Sequence, residues 1–184
     1  MEQDSPKLFL LDAMALIYRA HFAFSRNPFI NSKGVNTGVM LGFTNSLFEI
    51  ITKQKPTHIG VAFDTFAPTF RDVVYKDYKA NRQATPEDIK TGIPVVKEII
   101  SGFNIPILEL DGYEADDIIG TVAKEAAKQG YEVYMMTPDK DFGQLVEEKI
   151  LLYKPSYMGN TVQVLGPEEI KQKWDIRMIK INLL

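Results

Sequence analysis

Lys7–Asp12 reads Lys-Leu-Phe-Leu-Leu-Asp, a short apolar run that stops on a carboxylate. The run is continuous rather than alternating, as expected of a strand buried on both faces of a parallel sheet. The pattern recurs along the chain. His58–Phe63 is apolar and ends at Asp64, Ile105–Leu110 leads into Glu114, and Glu132–Thr137 leads into Asp139. Between these runs lie stretches with helical spacing. Ala13–Phe22 follows the first. In Gly38–Lys53, Val39, Phe43, Leu47, Ile50 and Ile51 fall three and four apart. Pro86–Ser101 opens with Glu87 and Asp88, which suit a helix N-terminus. Glu114–Gln129 carries Ile118, Ile119, Val122, Ala123 and Ala126 on one face and is closed by Gly130. Asp141–Val146 reads as a short helix. Ile150–Lys154 and Thr161–Leu165 read as strands joined by a turn at Gly159–Asn160, and Pro167–Trp174 as a last helix. Strands alternating with helices predict an α/β fold in three layers around a mostly parallel central sheet.

The 184 residues suffice for one domain with its own core. There is no cysteine, which excludes disulfides, zinc–thiolate sites, iron–sulfur clusters and a cysteine nucleophile. Met1–Pro6 lacks the basic start of a signal peptide, and no apolar run approaches the roughly 18 residues that cross a bilayer. A soluble, cytoplasmic protein is the expectation. His21, His58, Met135 and Met136 read as structural.

The acids carry the chemistry. In a parallel sheet the carboxyl ends of the strands share one edge, where ligands of open α/β folds bind. Asp12, Asp64, Glu114, Asp116, Asp117, Asp139 and Asp141 all follow strands, so seven carboxylates are expected at that edge. Like charges at such density raise one another's pKa values and oppose folding. A hard dication such as Mg²⁺ or Mn²⁺ relieves this, because it prefers carboxylate and water oxygens. Two such ions about 3.5–4 Å apart suit phosphodiester hydrolysis. Each acid also has a plainer reading. Asp after a strand caps helices and makes turns, Glu114, Asp116 and Asp117 complement a helix dipole, and Asp139-Lys140-Asp141 can form an Asx turn.

The net charge of −3 becomes +4 once those seven acids are set aside, so a polyanionic partner is compatible with the composition. Thr65–Pro86 shows no period. It interleaves Arg71, Lys76, Lys79 and Arg82 with Phe70, Tyr75 and Tyr78, a mixture that can track phosphates and stack bases. Tyr18 and Arg19 lie just beyond Asp12 on the first helix.

Several stretches together resemble one family. They are Lys7–Asp12, Tyr18-Arg19-Ala20, Pro56-Thr57-His58, Val61–Asp64, Thr69-Phe70-Arg71 and Asp77–Lys79 with Arg82. Gly112–Asp117 (Gly-Tyr-Glu-Ala-Asp-Asp), Thr137–Asp141 and Leu165–Glu168 follow in order. From about Lys7 to Trp174 the chain resembles the N-terminal 5′-nuclease domain of bacterial DNA polymerase I, within the flap endonuclease family. The resemblance implies a PIN-like fold and metal-dependent 5′-3′ exonuclease or flap endonuclease activity on DNA 5′ ends, or on RNA primers, in replication and repair. It casts Asp12, Asp64, Glu114, Asp116 and Asp117 around a first Mg²⁺ or Mn²⁺. Asp139 and Asp141 fall between the metals or serve the second. Tyr18 and Arg19 fall near the scissile strand, and Arg71, Tyr78, Lys79 and Arg82 in the clamp on the 5′ strand. A polymerase portion natively follows in the family.

After the position of Trp174-Asp175-Ile176, family members continue into a Gly-Asp-x-x-Asp-Asn stretch and a helix–hairpin–helix-like element that grips duplex DNA. Arg177–Leu184 does not match that continuation. The expectation is a domain over residues 1–176, a non-matching tail over 177–184, an incomplete second metal site, and activity that is weak or absent. The competing readings are a non-catalytic fragment that binds nucleic acid and metal, and a PIN-type ribonuclease. A receiver-like phosphoacceptor domain also puts aspartates at strand ends, but has no use for a basic aromatic loop.

Overall fold

The computed structural model describes residues 5–65, 67–75, 84–155 and 161–174. Its elements in chain order are β1 (Lys7–Asp12), α1 (Ala13–Phe24), α2 (Gly38–Glu49), β2 (His58–Ala62), α3 (Phe70–Val74), α4 (Glu87–Gly102), β3 (Ile107–Leu108), α5 (Ala115–Lys128), β4 (Glu132–Met136), β5 (Ile150–Lys154), β6 (Gln163–Leu165) and α6 (Pro167–Trp174). The strands form one six-stranded sheet in the order β3-β2-β1-β4-β5-β6. Every pairing is parallel except β5–β6, which closes the edge as an antiparallel pair.

The side-chain alternation of β1 divides the core in two. Phe9 and Leu11 join α1, α2 and α4 through Ile17, Phe43, Leu47, Ile89 and Ile100. Leu10 turns to the opposite face and joins α5 and α6 through Ile119, Ala123 and Ile170. β4 repeats the division, with Met136 on the first face and Val133 and Met135 on the second. With helices on both faces, the strands have no solvated side. That accounts for their continuous apolar sequence. Asp12, Asp64, Glu114 and Asp139 therefore leave the sheet at the same edge.

Several elements differ from the sequence expectation. The helix expected over Gly38–Lys53 is α-helical only to Glu49. Ile50–Gln54 then widens into a π-turn, with the Lys55 N–H bonded back to the Ile50 carbonyl at 3.2 Å and Lys55 itself left-handed at φ 47°. The strand expected over Ile105–Leu110 pairs through only two residues, Ile107 and Leu108. Pro106 precedes them and has no N–H to give a neighbour. The aperiodic Thr65–Pro86 stretch contains a helix, α3. A reciprocal capping box between Thr69 and Asp72 starts it. Asp141–Leu145 is a 3-10 turn.

α1 and α2 cross closely because Gly42 lacks a side chain. A β-carbon there would lie 2.5 Å from the Ala20 β-carbon and 3.1 Å from the Phe24 ring. Gly42→Ala is expected to lower the unfolding free energy by about 1–3 kcal/mol through overpacking. Urea denaturation checks this, and an unchanged midpoint would contradict the crossing.

Candidate active site

Four neighbouring parallel strands deliver acids to one edge. In sheet order these are Glu114, Asp116 and Asp117 after β3, Asp64 after β2, Asp12 at the end of β1, and Asp139 and Asp141 after β4. Topology thus brings together segments separated by more than a hundred residues of chain.

Asp12 is buried, at 9% exposure. It caps α1: Oδ1 accepts from the Ala15 N–H at 3.1 Å, while Oδ2 accepts from the Thr137 hydroxyl at 3.0 Å. Burial pushes its carboxyl up to about 6 from the ordinary 3.8. The Ala15 N–H and the Thr137 hydroxyl pull the other way, and the charges of Asp64 and Asp139 add to the rise. Asp64 is exposed, and its Oδ1 accepts from the Ala115 N–H at 2.8 Å, tying β2 to the start of α5. Asp139 accepts from the Asp141 N–H at 2.9 Å, so the Asx turn is real, and its own N–H donates to the Thr137 hydroxyl at 3.1 Å. The plain structural roles and the gathering of acids coexist: the caps and turns hold the carboxylates in place.

Glu114 caps α5, and the Asp117 side chain accepts from the Glu114 N–H at 3.1 Å in a capping box. Glu114 is buried at 7% exposure. Burial and the charge of Asp117 raise the carboxyl of Asp116. The bidentate partner of Asp117 is Arg71, with Nη1 at 2.6 Å from Oδ2 and Nη2 at 2.8 Å from Oδ1. The same Nη1 stands 3.6 Å from Glu114 Oε2. The guanidinium also lies over the Phe70 ring, 4.6 Å from its centroid. Asp117 holds Arg71 firmly protonated. Arg71, expected on a clamp facing nucleic acid, is therefore turned inward onto the acids.

Asp12, Asp64, Asp139 and Asp141 form no ion pair among the described residues. Nor, among those residues, do three acids stand close enough together to hold an ion. The donors fit a hard divalent cation in chemistry, since all are carboxylate oxygens at a partly buried edge with the Asp12 and Asp116 carboxyls already raised. They are gathered but not yet closed into a cage.

Tyr18 and Arg19 line an open groove of about 740 Å³ beside this edge, together with Phe22, Asp139 and Lys154. Arg19 Nη1 is 3.4 Å from the Ser46 hydroxyl on α2. Tyr78, Lys79 and Arg82 lie outside the described residues, as do the turn at Gly159–Asn160 and the tail over 177–184.

Sequence reasoning missed two residues here. Thr137, buried at 1% exposure, joins Asp12 to Asp139, yet one threonine at a strand end carries no signal of its own. Lys154 ends β5, and its Nζ donates to the Pro138 carbonyl at 3.2 Å across the groove. Burial and the neighbouring Lys173 lower its pKa. Its position after a strand on the same edge was the available signal. His21, read as structural, pairs with Asp88 at 2.8 Å and ties α1 to α4.

Comparison with known proteins adds a lineage to this geometry. Residues 7–175 match the family model of the 5′-3′ exonuclease, N-terminal resolvase-like domain. The chain is 39% identical over 174 residues to a 5′-3′ exonuclease of Aquifex aeolicus, covering 95% of this chain and 58% of that protein. It is 40% identical over 174 residues to DNA polymerase I of Bacillus subtilis, covering 94% of this chain and 19% of the polymerase. The chain thus spans little more than half of the first relative and a fifth of the second. Among solved structures, the T5 5′-exonuclease with zinc ions bound superposes with a TM-score of 0.67 at 15% identity, over 92% of this chain and 61% of that one. The catalytic core of Rad2 in complex with a DNA substrate superposes at 0.55 and 19% identity, over 95% and 52%. At these identities the structural likeness speaks for the fold.

Proposed function

We propose a function on the premise that this chain belongs to the 5′-3′ exonuclease family through its N-terminal resolvase-like domain: it is the acid-bearing part of a divalent-metal-dependent 5′ nuclease. The substrate is DNA with a free 5′ end or flap, or the RNA strand of an RNA–DNA hybrid, and the ion is Mg²⁺ or Mn²⁺. The setting is cytoplasmic replication and repair, with a polymerase portion fused downstream as in the polymerase relatives. No helix among the described residues is long and apolar enough to cross a membrane.

The observation that carries this reading is the delivery of acids by four adjacent parallel strands to one edge. Asp12, Asp64, Glu114, Asp116 and Asp117 are the carboxylates that would hold the first ion, with Asp139 and Asp141 toward a second. When bound, such ions activate water and stabilise the charge that develops on the phosphate. The chain's own residues do the rest. Thr137 fixes the Asp12 carboxylate, the Ala115 N–H fixes Asp64, and Tyr18 and Arg19 face the groove where the strand runs past Asp139. The cations of the Thr65–Pro86 stretch supply electrostatic hold on the 5′ strand.

The test is cleavage of a labelled 5′-flap duplex by this chain in Mn²⁺, beside Asp64→Asn. The variant keeps the side chain's shape and its acceptor for the Ala115 N–H but removes the charge. Cleavage by the parent chain that is lost in the variant is the expected result. Flap binding without cleavage by a folded chain would favour the alternative, a non-catalytic fragment that binds nucleic acid and metal.

A further inference from the structure

Arg71 occupies the carboxylates that an ion needs. Its guanidinium takes both oxygens of Asp117, at 2.6 and 2.8 Å, and leans on Glu114 at 3.6 Å. The Glu114 N–H also bonds Asp117 Oδ2, so both oxygens of that carboxylate are already engaged. Arg71 is carried on α3, which is docked onto the loop before α5 by the Phe70 N–H bonding to the Gly112 carbonyl at 3.1 Å. The Phe70 ring, 4.6 Å beneath the guanidinium, adds a cation–π contact. A planar, permanently charged group held bidentately is a strong competitor for a carboxylate. Glu114 and Asp117 thus already have a counter-cation at the edge.

We propose that Arg71 is an internal counter-cation that must release Asp117 and Glu114 before those carboxylates can hold a divalent ion, and that a nucleic-acid phosphate takes up the released guanidinium. The inference rests on the reading of this edge as a metal site and adds its regulation. Ion and substrate then assist one another. A phosphate that draws Arg71 away frees acids for the ion, and an ion on the acids frees Arg71 for the phosphate. Linkage makes the two effects equal in size. Without substrate, Arg71 stabilises the ion-free edge and keeps the ion weakly held, so the acids close fully only when a strand is present.

Electron paramagnetic resonance titration of free Mn²⁺ tests this on the full chain and on Arg71→Gln. Each is measured alone and with a short single-stranded phosphorothioate DNA oligonucleotide carrying a 5′ phosphate. For the parent chain, the oligonucleotide is expected to tighten Mn²⁺ binding several-fold. For Arg71→Gln without oligonucleotide, Mn²⁺ is expected to bind about tenfold more tightly than to the parent, and the oligonucleotide should then tighten it by less than in the parent. A side chain with a merely structural role would not tighten metal binding on removal. Affinity in Arg71→Gln equal to or weaker than the parent overturns the proposal while leaving the metal site standing. Absence of Mn²⁺ binding at millimolar ion in both proteins overturns the proposal and the metal-site reading together. If circular dichroism shows Arg71→Gln to be unfolded, Arg71→Lys decides. It keeps the charge without the bidentate fork, so Mn²⁺ should bind several-fold more tightly than to the parent, and unchanged affinity is the contrary result.

Discussion

Asp12→Asn is expected to gain stability and lose activity. In the ion-free protein the Asp12 carboxyl is raised to about 6 from 3.8, chiefly by burial. A raised carboxyl binds its proton more readily folded than unfolded, so ionising it costs stability. The cost is absent below about pH 4, grows between pH 4 and 6, and is complete above pH 6. From the size of the rise it amounts to about 2–3 kcal/mol at neutral pH. Asparagine keeps an acceptor for the Ala15 N–H and can reverse the other bond by donating its amide to the Thr137 hydroxyl, which offsets part of the gain because the hydroxyl hydrogen then loses its acceptor. The ion-free variant should melt higher than the parent at pH 8, by roughly 5 °C or more, with the difference vanishing near pH 4. Its 5′-flap cleavage should fall by more than about a hundredfold, since a buried carboxylate at the edge is gone. A variant that melts like the parent across this pH range would show that Asp12 carries no strain. One that cleaves like the parent would remove Asp12 from the site. A residue whose neutral replacement stabilises the fold but abolishes turnover is one retained for chemistry.

Thr137→Val has the next largest effect, and it acts through Asp12. The Thr137 hydroxyl donates to Asp12 Oδ2 in a buried bond and accepts from the Asp139 N–H in a part-buried one. Valine has nearly the same shape and no hydroxyl. Loss of a hydrogen bond to a charged group, with the Asp139 N–H left unpaired, should cost about 2–3 kcal/mol at pH 8. The hydroxyl is one of the contacts that lower the Asp12 carboxyl, so its removal should move that carboxyl above 6. The acid limb of the cleavage profile should shift to higher pH with it. Thr137→Ser keeps the hydroxyl and should restore both stability and profile. Denaturant unfolding at pH 8 and cleavage between pH 5 and 9 measure the two effects. Parent-like behaviour of Thr137→Val in both would mean the Asp12–Thr137–Asp139 bridge holds nothing in place.

Much of this was visible in the residue order, for identifiable reasons. Strands buried on both faces must be apolar throughout, so Lys7–Leu11 and His58–Phe63 stand out, and the acid ending each run marks the sheet edge. Helices α4 and α5 are long enough to show their period, and Gly130, at φ 93°, sits where a left-handed stop is needed. What escaped was short or depended on a distant partner. Helix α3 has five residues and buries none of them, so no period could reveal it; its only signature is the Thr69–Asp72 capping pair. β3 pairs through two residues because Pro106 limits the ladder. Arg71 read as one of several loop cations, and nothing local indicates that its partner is Asp117, 46 residues away. Thr137 is silent for the same reason, since its bond to Asp12 spans 125 residues. Fold and acid set are written in patterns, whereas the groups that restrain the acids are written in tertiary contacts.

The burial and repulsion borne by the strand-end acids outside the Arg71 pair, Asp12 above all, should be relieved by a hard divalent ion. The most direct measurement is the melting temperature of the chain as Mg²⁺ or Mn²⁺ is titrated to millimolar concentration, beside Asp12→Asn. The parent's melting temperature is expected to rise with the logarithm of ion concentration beyond the dissociation constant, by mass action on the folded state. Asp12→Asn should start higher and rise little. A parent chain whose melting temperature ignores both ions, or a variant that responds as strongly as the parent, would contradict that relief.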